Sequence, residues 1–144
     1  MPTTQDVIAR ATITIDASRA EVWKALVSPA AIKQYMFGAD VRTDWKEGSP
    51  ITWAGEWKGK KFEDKGKLLQ VKPERRLQYS HFSPLSGRPD TPENYHTVTM
   101  ELSDVGGKTL VTLIQDNAST DEARKEAEKN WNMMLQGLKK FVEK

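Results

Sequence analysis

The stretch from Ser119 to Val142 reads STDEARKEAEKNWNMMLQGLKKFV, and its reading decides the fold. Apolar residues fall at Ala123, Ala127, Trp131, Leu135, Leu138 and Val142, steps of three or four that belong to a helix. Met134 and Phe141 widen the stripe on one side. Ser119 and Glu122 have the form of a capping box. Asp121 and Glu122 suit the positive end of the helix dipole, and Lys139 and Lys140 the negative end. A helix of roughly 24 residues is about 36 Å long, enough to cross a small domain. Ala123 and Ala127 are small, so the rest of the fold is expected to approach closely there. The bulky Trp131, Met134, Leu135 and Leu138 are expected to form a concave wall. Gly137, on the flank of the stripe, costs about 1 kcal/mol relative to alanine, which points to a close contact or freedom to flex. Met133 faces away from the stripe and is expected to be exposed.

The chain upstream supplies what this helix packs against. Val7 to Ile15 alternates as a strand, rich in β-branched residues. Ser18 and Glu21 form a second capping box, opening a short helix that buries Val22, Trp23, Leu26 and Val27. Pro29 suits the first turn of another short helix, with Ile32, Tyr35 and Met36 on one side and Gly38 at its end. From Ala39 the signals are strand and turn: Val41–Trp45, Ile51–Trp57, Phe62–Lys72, Leu77–Phe82, Tyr95–Leu102 and Lys108–Gln115. In Phe62–Lys72 the apolar parity changes between Phe62 and the pair Leu69 and Val71, and Gly66 is the expected bulge. Ser83–Asn94 holds three prolines and a glycine and reads as a long loop. Asp104–Gly107 is a tight turn. Six consecutive strands with short turns predict an antiparallel meander, curved around the last helix, with the short helices plugging one end. The gap left between helix and sheet is a natural site for an apolar ligand.

Composition narrows the function. The 144 residues suit one domain spanning 1–144. Charge is balanced, 22 − 20 = +2, and no basic run is long, so nucleic acid is not expected as a partner. Lys58–Lys67 alternates with Glu63 and Asp64 and reads as a solvated hairpin. The absence of cysteine excludes disulfides, thiolate metal sites and a Cys nucleophile. No apolar run reaches the roughly 20 residues of a membrane span, and Met1–Arg10 lacks the pattern of a secretory leader. A cytoplasmic protein is the expectation.

Candidate chemistry is sparse. His81 and His96 are the two histidines, on separate strands and without a cysteine or carboxylate pair at ligand spacing, so no metal or other cofactor is expected. Nucleotide-binding, nucleophile-elbow and zinc-protease motifs are missing. The acidic pairs, Glu63/Asp64 among them, have structural explanations at hairpins, strand ends and caps. The aromatics are the better lead. Trp53, Tyr79 and Trp131 are expected to point inward, with Met36 and Phe37 from the plug helices. Val98, Met100, Met134 and Leu135 add soft apolar wall, and His81 shares a face with Leu77 and Tyr79. These ten are the candidate ligand-binding set. Trp45 and Trp57, near strand ends, are expected to be partly exposed.

Several of these segments also carry a resemblance. Ile13-Thr14-Ile15-Asp16-Ala17-Ser18, then Val22-Trp23-Lys24-Ala25-Leu26 and Ser28-Pro29, resembles the opening of the START/Bet v 1-like (SRPBCC) superfamily. Gly66–Pro73 with Leu77 and Tyr79, Gly106-Gly107 before a Thr-rich strand, and Trp131 are similar to the branch of activators of the Hsp90 ATPase (AHSA1-like). The resemblance implies an α+β helix-grip fold: a curved antiparallel sheet of six or seven strands around the C-terminal helix, in β-α-α-β(5–6)-α order. It also implies three functions. The first is non-enzymatic binding of a small hydrophobic molecule between helix and sheet. The second is interaction with an Hsp90-type chaperone or a stress-response role. The third is cyclase or hydratase chemistry, for which His81 or Tyr79 would supply the acid or base.

Overall fold

A computed structural model describes residues 7–143 other than 37, 58, 85, 86 and 119, together with the backbone but not the side chain of residue 57. The long helix, α3, runs from Asp121 to Val142. Its cap is Thr120, whose side chain accepts the Ala123 N–H at 3.0 Å. The expected cap, Ser119, lies outside the described residues. Thr120 serves because its backbone is extended, as an N-cap requires. Met134, Leu135 and Leu138 are buried, Trp131 and Val142 half-buried, and Met133 is 48% exposed as expected.

Seven strands make one antiparallel sheet: β1 (Ala9–Ile15), β2 (Asp40–Arg42), β3 (Pro50–Trp57), β4 (Lys60–Lys72), β5 (Arg76–His81), β6 (His96–Val105) and β7 (Lys108–Gln115). Their order is β1-β7-β6-β5-β4-β3-β2, so β2 to β7 form the expected meander and β1 closes onto β7. Two short helices, α1 (Arg19–Leu26) and α2 (Pro29–Tyr35), follow β1. Ser18 caps α1 through the Glu21 N–H, and Ser28 caps α2 through the Ala31 N–H. The β6–β7 turn places Gly106 and Gly107 at φ 58° and 86°, the paired positive angles that a two-residue hairpin favours.

Two strands depart from the sequence reading. β2 stops at Arg42 instead of reaching Trp45, whose backbone is left-handed (φ 61°). On β4 the register shift lies between Leu68 and Gln70, not at Gly66. Leu69 is the bulged, exposed residue, and Val71 beyond it packs against the core. The parity change is therefore real and three residues later than expected. Gly66 serves close approach instead: a Cβ there would lie 1.7 Å from the Ser80 carbonyl oxygen.

The helix is clamped at its C-terminal half. Gly137 lets it meet α2, with its Cβ position 3.3 Å from the Tyr35 Cβ, so the close contact expected at Gly137 is present. The Tyr35 hydroxyl donates to the Ala25 carbonyl at 2.9 Å, tying α2 to α1. Glu143 accepts the Asp16 N–H at 2.7 Å, and Lys139 donates to the Thr14 carbonyl at 3.1 Å. Glu128 accepts the Arg10 N–H at 3.0 Å, which satisfies a donor on edge strand β1. Among the described residues no helix is long and apolar enough to cross a membrane.

Candidate functional site

Strand parity puts two cross-strand pairs on one face of four adjacent strands, with Asp64 set diagonally from His81. Trp53 of β3 opposes Asp64 of β4, and His81 of β5 opposes His96 of β6. Asp64 shares the inward face of β4 with Phe62 and Leu68, and its side chain is only 17% exposed. It accepts a hydrogen bond from His81 Nε2 at 2.9 Å. Its other oxygen, Oδ1, is buried without a hydrogen-bond partner among the described residues. Trp53 meets the His81 ring edge-on at 5.3 Å and the Tyr79 ring at 5.0 Å, and His81 lies over His96 at 6.3 Å.

His96 is held by the end of β7. Its Nδ1 donates to the Asp116 carbonyl at 3.0 Å, while the Asp116 carboxylate accepts the Thr97 N–H at 2.6 Å. Burial lowers the His96 pKa below its ordinary value, against the opposing bond to Asp116 and with help from the charge on His81. Burial raises the pKa of Tyr79, which stays a phenol in the core.

These two imidazoles line a cavity of about 590 Å³ between the sheet and the N-terminal half of α3. Gln115 continues the sheet wall, and Ala123, Glu126, Ala127 and Asn130 form the helix wall. Arg88, Glu93 and Asn94 come from the β5–β6 loop, with Asn117 and Ala118 beside them. The loop is tied in place there. Asn117, at φ 57°, donates to the carbonyls of Glu93 and Tyr95, and Tyr95 donates to Asp90 at 2.6 Å. Asp90 also pairs with Lys65. The alanines thus do the opposite of what the sequence suggested: their short side chains leave volume unfilled, while the bulky half of α3 packs solidly.

The candidate set divides accordingly. Trp53, Tyr79, Val98, Met100, Met134 and Leu135 are buried within one core cluster, against which Met36 and Trp131 pack half-buried. Phe37 lies outside the described residues, as does the side chain of Trp57. Of the candidate set, His81 lines this cavity. Trp131 reaches its edge by donating from Nε1 to Gln115 at 2.6 Å. In the sequence Asp64 reads with Glu63 as part of a solvated hairpin, and the structure turns it inward instead. Its parity with Phe62 and Leu68 was the available signal. Among the described residues no group of three or more histidines and carboxylates is arranged to hold a metal ion.

A curved antiparallel sheet gripping one long helix defines a START/Bet v 1-like helix-grip domain. The chain belongs to the family described as Activator of Hsp90 ATPase homolog 1-like protein, which matches residues 16–143. Comparison with proteins of curated function finds no match. Among solved structures, ChR145 from Cytophaga hutchinsonii is 56% identical, with TM-score 0.82, over 94% of this chain and 93% of that one. The fold is also shared by the Aha1 dimer from Colwellia psychrerythraea, at 21% identity and TM-score 0.73 over 94% and 96% of the two chains. CalU16 from Micromonospora echinospora shares it at 24% identity and TM-score 0.73, over 94% and 83%.

Proposed function

We propose that this domain binds a small molecule without transforming it, in the cavity between the sheet and the N-terminal half of α3. The observation that carries this reading is an opening of about 590 Å³, within the size range of ligand sites. Ala123 and Ala127 accept an apolar body, and the polar groups around them orient it. The hydrophobic ligand implied by the resemblance becomes a molecule with an apolar body and a hydrogen-bonding head. Native mass spectrometry of the purified protein tests the reading. A bound small-molecule mass released on denaturation supports it. Protein that arrives bare and takes up no apolar probe contradicts it.

Family membership favours a second reading, that the domain engages an Hsp90-type chaperone. Met133, 48% exposed on the outer face of α3, gives such a partner an apolar contact. An ATPase assay with the chaperone, run with and without this protein, tests it; an unchanged rate removes it.

A further inference from the structure

We propose that the ligand of the α3 cavity is a hydrogen-bond donor, a hydroxyl on an apolar body, received by the imidazoles of His81 and His96. The inference rests on the cavity being a binding site and names the chemistry that the site selects.

A carboxylate only accepts, so the bond to Asp64 fixes the proton of His81 on Nε2. A carbonyl only accepts, so the bond to Asp116 fixes the proton of His96 on Nδ1. When neutral, each ring then retains one bare nitrogen, Nδ1 of His81 and Nε2 of His96, with no protein partner among the described residues. Both rings line the cavity. The two bare nitrogens accept from an O–H group and offer a carbonyl or ether oxygen nothing, while Ser83, Arg88, Asn94 and Gln115 on the same lining carry donors for the hydroxyl oxygen. Glu93 and Glu126, also on the lining, are acceptors as well. The arrangement is built rather than incidental: Trp53 and His96 hold the His81 ring in place, and Asp64 is committed to it from an inward position.

The test compares 1-naphthol with 1-methoxynaphthalene, which have the same apolar body with and without the donor, by fluorescence titration at about pH 8, where ordinary imidazoles are neutral. The expected result is about tenfold tighter binding of the naphthol, the worth of one well-placed hydrogen bond. In His81→Phe, which leaves only the His96 acceptor, that preference falls several-fold while the ether still binds. Asp64→Asn offers an amide donor to Nε2, moves the ring proton to Nδ1 and cuts the preference at least several-fold, a tautomer effect that needs no loss of fold. Equal binding of the two probes to the native protein leaves the cavity reading standing and overturns the hydroxyl assignment. A preference that survives in Asp64→Asn also overturns it. Tighter binding of 1-naphthylmethylammonium than of 1-naphthol overturns it in favour of a cation. Binding of none of these probes overturns the assignment and the cavity reading together.

Discussion

Gly66 of β4 and Ser80 of β5 approach so closely that a Cβ on residue 66 would sit 1.7 Å from the Ser80 carbonyl oxygen. No side-chain rotation relieves a contact with backbone, so Gly66→Ala must push the two strands apart. The expected cost is about 3 kcal/mol, the upper range of overpacking, read as a lower urea midpoint. Gly137→Ala is the contrasting case. Its Cβ would lie 3.3 Å from the Tyr35 Cβ, tight but accommodated by a small shift. The gain in helix propensity, about 1 kcal/mol, offsets that strain, and the midpoint is expected to stay within about 1 kcal/mol of the native protein.

The two halves of α3 have different energetic roles. Leu135 is fully buried, and Leu135→Ala is expected to cost about 3–4 kcal/mol. Trp131 is half-buried and hydrogen-bonded to Gln115 at the cavity edge. Trp131→Ala should therefore cost less, about 2 kcal/mol. Paired urea titrations order the two variants, and a larger loss at Trp131 would contradict this division of the helix.

Two buried phenols make the fold sensitive to alkali. Burial raises the pKa of Tyr35, with a smaller contribution from Tyr79, and burial also raises that of Tyr79. A group held protonated in the folded state contributes its full stability below its unfolded pKa, about 10 for tyrosine. Above that pH the unfolded chain loses the proton and the folded chain keeps it, so stability falls as pH rises. The expected slope is about 1.4 kcal/mol per pH unit for each phenol. Tyr35→Phe removes one of the two contributions. Equilibrium unfolding between about pH 9 and 12 should show the native protein losing stability more steeply than this variant.

Much of the fold is legible in the sequence because it is periodic. The stripe on α3 and the alternation of β5 and β6 each state which face is buried, and the capping box at Ser18 marks the start of α1. Errors fall where a single backbone angle or a one-residue slip decides. Trp45 takes a left-handed conformation just beyond the shortened β2, and the extra residue Leu69 moves the parity change away from Gly66. The site was less legible for a different reason. Inward aromatics such as Trp53 and Tyr79 look the same whether they pack or line a void, and here they are buried in the core. Alanines, which carry no signal of their own, border the open volume. Asp64 and His81, 17 residues apart, meet only once strand register is known.

The claim that the alanine-lined end of α3 is a binding site is tested most directly by filling it. Ala127 borders the cavity from a half-buried position, so Ala127→Leu occupies the volume without removing any contact of the core. Fluorescence titration of 1-naphthol into the native protein and this variant, with urea midpoints measured for both, is the decisive comparison. The account predicts saturable binding to the native protein and at least a tenfold loss of affinity in the variant at unchanged stability. Equal affinity for both proteins would contradict it.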